Sequence, residues 1–122
     1  LFLLKKYDII FIEIEGRGLK MIKLWIDDIR VAPNGYYGVR SVQEAKSFFL
    51  KNKDNIELID TDHDAGRYAS EGGDYVKFFD WLESNYHLNN WSIPPIKIHS
   101  MNPTGVANIR AIIEHNNWTE IH

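Results

Sequence analysis

The run Ile56-Glu57-Leu58-Ile59 leads directly into Asp60-Thr61-Asp62-His63-Asp64, which holds three carboxylates and an imidazole in five residues. A strand delivers its last side chains to the rim of a sheet, and in open α/β sheets that rim is where ligands bind. Two more strand-like runs end in the same manner. Ile22-Lys23-Leu24-Trp25-Ile26 stops at Asp27-Asp28, and Ile96-Lys97-Ile98 stops at His99-Ser100-Met101-Asn102. A fold that brings these three ends together has one site, and a chain of 122 residues has room for one core of ordinary size.

Helical patterns fill the gaps between the runs. Ser41 and Glu44 match a capping box, and Val42, Ala45, Phe48 and Phe49 form the apolar face of a helix ending near Asn52. Residues 65–73 read as a polar, glycine-containing loop. Asp74 then caps a second helix with the stripe Tyr75, Phe78, Phe79, Leu82 and Tyr86, aromatics that belong to a core rather than to a base-stacking platform. Asn102 followed by Pro103 starts a third, with Val106, Ile109 and Ile113 as its buried face. Between the first run and the first helix, Pro33, Asn34, Gly35 and Gly38 mark a loop, with a brief strand at 37–40. Residues 118–121 add a last short strand. The alternation predicts an α/β fold with a mostly parallel sheet, helices packed on it and the first crossover helix replaced by a loop. Right-handed crossovers then gather Asp27, Asp28, Asp62, His99 and Ser100 at one edge.

Residues 1–20 stand apart. Their apolar run Ile9-Ile10-Phe11-Ile12 is too short and too closely flanked by charge to span a bilayer. Met21-Ile22-Lys23-Leu24 reads as an ordinary protein start, so the extension reads as translated leader, with a genuine N-terminal strand as the alternative. The domain is then 21–122. The formal charge of −3 and the lack of a Lys/Arg run give no extended nucleic-acid track. With no cysteine, disulfides, zinc-thiolate sites and cysteine nucleophiles are excluded. No export signal is evident, and the expected location is cytoplasmic.

Each cluster has a plain reading beside the chemical one. Asp27-Asp28 suits a hard cation such as Mg²⁺, but paired Asp residues also occur in turns. Asp62 beside them tips the balance, since gathered carboxylates repel unless a cation or proton intervenes. Asp60, Asp62, Asp64 and Glu71 fall at the first, third, fifth and twelfth positions of an EF-hand loop. That reading fails at Ala65, where the loop needs Gly, and because a strand precedes it. His63-Asp64 is similar to the His-Asp pair of metal phosphohydrolases, where the pair sits on a helix rather than after a strand. A histidine beside a carboxylate can serve in acid-base work. Ser100 lacks a nucleophile elbow and is better placed as a hydroxyl donor to phosphate, at a helix start that attracts anions. Arg30 and Arg110 could clamp a phosphate, although each has a plain reading as a solvated charge.

Taken in order, Leu24-Trp25-Ile26-Asp27-Asp28-Ile29-Arg30, Asp62-His63-Asp64-Ala65-Gly66, Gly72-Gly73-Asp74-Tyr75, Asp80-Trp81-Leu82 and Ile98-His99-Ser100-Met101-Asn102-Pro103 resemble the cyclic-phosphate-processing receiver-like domain family. The resemblance covers nearly all of the chain after residue 20. It implies a receiver-like, flavodoxin-like fold, with Asp27 and Asp28 as the acidic metal pair, Asp62 as the acceptor aspartate and Ser100 as the strand-end hydroxyl. His63, Asp64, His99 and Asn102 match what separates the family from true receivers, which implies a catalytic site in place of a phosphorylation switch. The lysine that receivers carry on the last strand has no counterpart here.

The expected function is a metal-dependent phosphoesterase acting on cyclic phosphates of nucleotides or RNA ends, with Mg²⁺ or Mn²⁺ as cofactor. His63, His99 and Asp62 are the candidate catalytic residues, Asp27, Asp28, Asp62 and Asp64 the metal ligands, and Ser100, Asn102 and Arg30 the phosphate contacts. The competing readings are a receiver-like regulatory module that binds metal and phosphate without turnover, and a structural domain with a solvated acidic edge. Tyr36 and Tyr37 either stack on a base or cover the core, and Asp60 reads as an ordinary strand residue.

Overall fold

The computed structural model describes residues 21–122, so the expectations for residues 1–20 lie outside the described residues. Among these residues, five strands form one sheet: β1 (Ile22–Ile26), β2 (Tyr36–Val39), β3 (Ile56–Thr61), β4 (Ile96–Ile98) and β5 (Glu120–Ile121). Three helices connect them: α1 (Val42–Asn52), α2 (Val76–Asn89) and α3 (Pro103–His115). The strand order is β2-β1-β3-β4-β5 and every pairing is parallel. This is the flavodoxin-like order, and its direction reverses between β1 and β3, which makes their carboxyl ends the switch point.

Topology also decides which face is covered. The crossovers through α1, α2 and α3 all step the same way across the sheet, so right-handedness puts the three helices on one face. There α1 packs on α2 and α2 on α3. The step from β1 to β2 runs the other way and contains no helix, as expected. Leu24, Ile26, Ile59 and Ile96 point into the covered face and are wholly buried, as are Phe49, Phe78, Phe79 and Leu82 from the helices. Each such side chain contributes about 1.5–3 kcal/mol when fully buried. The opposite face presents Trp25, Asp60 and Lys97, which are level with one another across β1, β3 and β4.

The helix ends show where local signals held. Ser41 Oγ accepts the Glu44 N–H at 3.0 Å, while the Glu44 carboxylate reaches the Arg40 N–H rather than that of Ser41. Asn102 Oδ1 accepts the Gly105 N–H at 3.0 Å, with Pro103 in the first turn. Three expectations are corrected. Residues 66–71 are a 3₁₀ segment, Gly66–Glu71, not an irregular loop. It ends at Gly72, whose φ of +113° favours glycine and where a Cβ would come 2.8 Å from that of Val42. Asp74 does not cap α2, which follows Tyr75; its carboxylate accepts the Ala65 N–H at 2.9 Å and closes the loop. The buried stripe of α3 runs through Gly105, Ile109 and Ile113, with Val106 half-buried, because Gly105 lies against the His63 ring.

Candidate functional site

Strand register builds the site. Ile26, Thr61 and Ile98 are level across β1, β3 and β4, so the next residues, Asp27, Asp62 and His99, emerge side by side. The Asp62 N–H donates to the Ile26 carbonyl and the His99 N–H to the Thr61 carbonyl, each at 2.8 Å, which carries the ladder one residue past the strands. Carboxylate oxygens of Asp27, Asp28 and Asp62 lie within 4.8 Å of one another. The first two sequence clusters therefore meet in one acidic centre at the switch point.

Asp27 is the most heavily bonded member. Its Oδ1 accepts the N–H groups of Ile29 and Arg30 at 2.9 and 2.8 Å, and its Oδ2 accepts Arg30 Nη1 at 2.8 Å and His99 Nε2 at 2.7 Å. Burial alone would raise its pKa, but these four donors outweigh it and hold the carboxyl below its ordinary value. Asp28 goes the other way: burial, with the charges of Asp27, Asp62 and Asp64, pushes it up. Its backbone is fixed by Arg40 Nη1, which donates to the Asp28 carbonyl at 2.7 Å, and the Arg40 carbonyl in turn accepts the buried Tyr75 hydroxyl at 2.5 Å. The Tyr75 phenol is pushed up by burial and by Asp28, Asp27 and Asp62, and it stays a donor.

His99 lies back across the sheet. Its ring stacks on Trp25 with centroids 3.9 Å apart and planes 6° from parallel. Nδ1 is 2.6 Å from Asp60 Oδ1 while Nε2 faces Asp27. Burial disfavours a charged imidazole, yet bonds to both carboxylates outweigh it and raise the pKa. An imidazole bonded through both nitrogens to carboxylates is a donor at both. Asp60, only 3% exposed, is thus more than an ordinary strand residue. It shares a face with Asp62 because strand residues two apart point the same way, and a buried carboxylate needs a partner. That alternation was the available signal. Trp25 carried none beyond its place in a strand.

The remaining residues form a flank. His63 Nδ1 is 3.0 Å from Asp64 Oδ1, and His63, Asp64 and Asp74 make a second group of closely spaced donor atoms. Asp64 thus groups with His63 and Asp74, apart from the three-carboxylate set. The His63 ring sits on the first turn of α3, where a Cβ at Gly105 would overlap it. Asn102 is taken up at both ends of its carboxamide, Oδ1 by the Gly105 N–H and Nδ2 by Asp64 at 3.1 Å. Ser100 Oγ accepts the Asn102 N–H at 3.1 Å, and among the described residues its hydroxyl hydrogen has no acceptor. Arg30, 47% exposed, bridges Asp27 and, at 3.6 Å, Asp62.

Arg110 does not join the site, since its guanidinium grips Glu120 of β5. Tyr37 stacks on Phe48 and covers the core; Tyr36 meets Trp25 edge to face.

The acidic centre suits a hard divalent cation. Among the described residues, no other residue donates a hydrogen bond to the Asp28 carboxylate, which meets only its own backbone N–H, and Gly66 leaves the space beside Oδ2 that a Cβ would fill. Among the same residues, Asp62 Oδ2 meets only the distant Arg30. Asp28 and Asp62 thus offer the open oxygens of a magnesium-type site, in which protein carboxylates share the ion with water, while Asp27, each of whose oxygens already accepts two N–H groups, stands behind them. Elsewhere, no helix among the described residues is long and apolar enough to cross a membrane.

Comparison with known proteins agrees with the geometry. The family model described as cyclic-phosphate processing receiver domain matches residues 22–115. No curated protein and no solved structure gives a significant match. The matched span runs from β1 through α3 and takes in every residue of the acidic centre and its flank, and the chain belongs to the cyclic-phosphate processing receiver domain family.

Proposed function

We propose that this domain is a cytoplasmic, divalent-metal-dependent phosphoesterase that opens or removes a cyclic phosphate on a nucleotide or an RNA end. The observation that carries this reading is the Asp60–His99–Asp27 chain of hydrogen bonds. A buried carboxylate that fixes Nδ1 of an imidazole and aims its Nε2–H at an acidic centre is the arrangement of an oriented proton donor. A regulatory module that only bound metal and phosphate would have no use for it.

Asp28 and Asp62, with Asp27 behind them, would hold Mg²⁺ or Mn²⁺. The ion, when bound, supplies polarisation of a phosphoryl oxygen and a lowered pKa for bound water. His63, its Nδ1 held by Asp64, would use its other ring nitrogen to accept a proton from the attacking water. As the new P–O bond forms, the bond from phosphorus to one ring oxygen breaks. His99 Nε2 gives its proton to that departing oxygen once Asp27 releases it. The Ser100 hydroxyl and Arg30 steady the non-bridging oxygens, where developing charge is greatest. Asn102 acts as helix cap and tether for Asp64.

Hydrolysis of 2′,3′-cyclic nucleotides with Mg²⁺ or Mn²⁺ tests the reading. Wild type is expected to turn over, with Asp62→Asn and His99→Ala each down by about 10²-fold or more. Equal rates in all three would defeat it, and no turnover in any would favour the regulatory module.

A further inference from the structure

Beside the acidic centre lies an open cleft of about 640 Å³, lined by Asp28, Ile29, Arg40, Gly66, Arg67 and Tyr68. Asp28 belongs to both, so the cleft is continuous with the centre. The rest of its lining is of another character. The Arg67 guanidinium lies 5.3 Å from the centroid of the Tyr68 ring, and Ile29 is 76% exposed. Arg40 is held by the Asp28 carbonyl through one nitrogen, and among the described residues its other guanidinium N–H groups have no partner. Two guanidinium groups against one carboxylate favour an anion. A guanidinium-backed aromatic ring beside an exposed aliphatic side chain favours a flat, apolar-faced ring. Bare phosphate needs a few donors and no such platform, whereas this volume lies within the range of small-molecule sites.

We infer that this cleft is the subsite for the nucleobase end of the substrate, with the phosphate at Asp28 and the base on Tyr68 and Arg67. The assignment of the phosphate to the Asp28 end rests on the phosphoesterase reading. With a net charge of −3 and two arginines here, the unit recognised is a single nucleotide, free or at the end of an RNA. The base contacts lie outside the reacting centre, so they act on affinity.

Calorimetry on the full chain with Mg²⁺ tests this with two ring-opened esters, adenosine 2′-phosphate and ribose 2-phosphate, which differ only in the base. Wild type is expected to bind the nucleotide about tenfold more tightly, the usual scale of one base–aromatic stack. Tyr68→Leu, which keeps the packing of this half-buried side chain, and Arg67→Gln are each expected to erase most of that preference. If Tyr68→Leu fails to fold, exposed Arg67→Gln decides. Equal affinity for both esters in wild type, a preference unchanged by the variants, or no binding of the nucleotide overturns the subsite. A trinucleotide ending in adenosine 2′-phosphate separates the sources: binding as tight as the mononucleotide points to RNA ends, and weaker binding to free nucleotides. Hydrolysis of adenosine 2′,3′-cyclic phosphate without a base preference overturns the subsite alone. A base preference without hydrolysis overturns the phosphoesterase reading alone.

Discussion

Asp60 and His99, 39 residues apart, are joined by a 2.6 Å hydrogen bond that turns the other imidazole nitrogen toward Asp27. Asp60→Asn keeps the shape and removes the charge. His99 then loses part of what raises its pKa, while the burial that lowers it remains. A proton donor works below its pKa, so the alkaline limb of the rate profile is expected to move to lower pH, with kcat down about tenfold or more. Stability follows the same sign. A raised histidine pKa stabilises the fold fully below the ordinary imidazole value, and the contribution fades as pH rises through the raised one. Melting curves of wild type and Asp60→Asn should therefore differ most in mild acid and converge as the solution becomes alkaline.

Gly105 sets two effects against each other. Inside a helix, alanine is favoured over glycine by about 1 kcal/mol. Here the added Cβ would overlap the ring of His63, which is anchored between β3 and α3. Overpacking of this kind costs about 1–3 kcal/mol. Gly105→Ala is expected to lower the denaturation midpoint despite its helix propensity, and to depress turnover by displacing His63.

What could be read ahead of the structure follows the same division between local and long-range signals. Asp27, Asp62 and His99 each stand first after a run that makes a strand, so parallel register alone lines them up. Asn102 and Pro103 started α3 because capping is decided within a few residues. Asp60 reads as an ordinary strand residue because its partner lies beyond another strand, and nothing near it in sequence names His99. Asp74 looked like a cap by type and position, but the loop ahead of it offered the Ala65 N–H instead. Arg110 reads as a phosphate clamp or a solvated charge because its partner, Glu120, arrives from the final strand.

Asp28 separates the metal-free from the metal-bound protein. Its pKa is raised by burial and by the neighbouring carboxylates, so at neutral pH its charge works against the fold. Asp28→Asn is expected to melt higher than wild type in EDTA. With Mg²⁺ or Mn²⁺ the order should reverse, because a ligand at 100 times its Kd stabilises by about 2.7 kcal/mol and the variant offers the ion a neutral amide oxygen in place of a charged carboxylate. Paired thermal melts with and without metal make the comparison.

Tyr75 acts at a distance from the chemistry. Its hydroxyl holds the Arg40 carbonyl, and Arg40 holds the Asp28 backbone. Tyr75→Phe leaves the ring in the core and removes only that donor, for an expected loss of about 1–3 kcal/mol. Metal affinity, followed by titration of the melting midpoint, should weaken as Asp28 loosens, whereas a purely structural role would lower stability and leave the affinity unchanged.

The last strand is two residues long, and besides its pairing with β4 an ion pair ties it to α3. Arg110 of α3 grips Glu120 through Nε and Nη2, and that grip, against the opposing effect of burial, holds the Glu120 carboxyl below its ordinary value. A lowered carboxylate pKa stabilises the fold above the unfolded value, and the contribution is lost as pH falls through the lowered one. Glu120→Gln is expected to melt below wild type at neutral pH and to match it in strong acid, where both side chains are uncharged. The site should not notice: β5 adjoins only β4 and lies two strands from β3, so metal affinity of Glu120→Gln is expected to equal that of wild type. A fall in affinity alongside stability would mean that the edge of the sheet and the acidic centre are coupled through β4, whose next residue is His99.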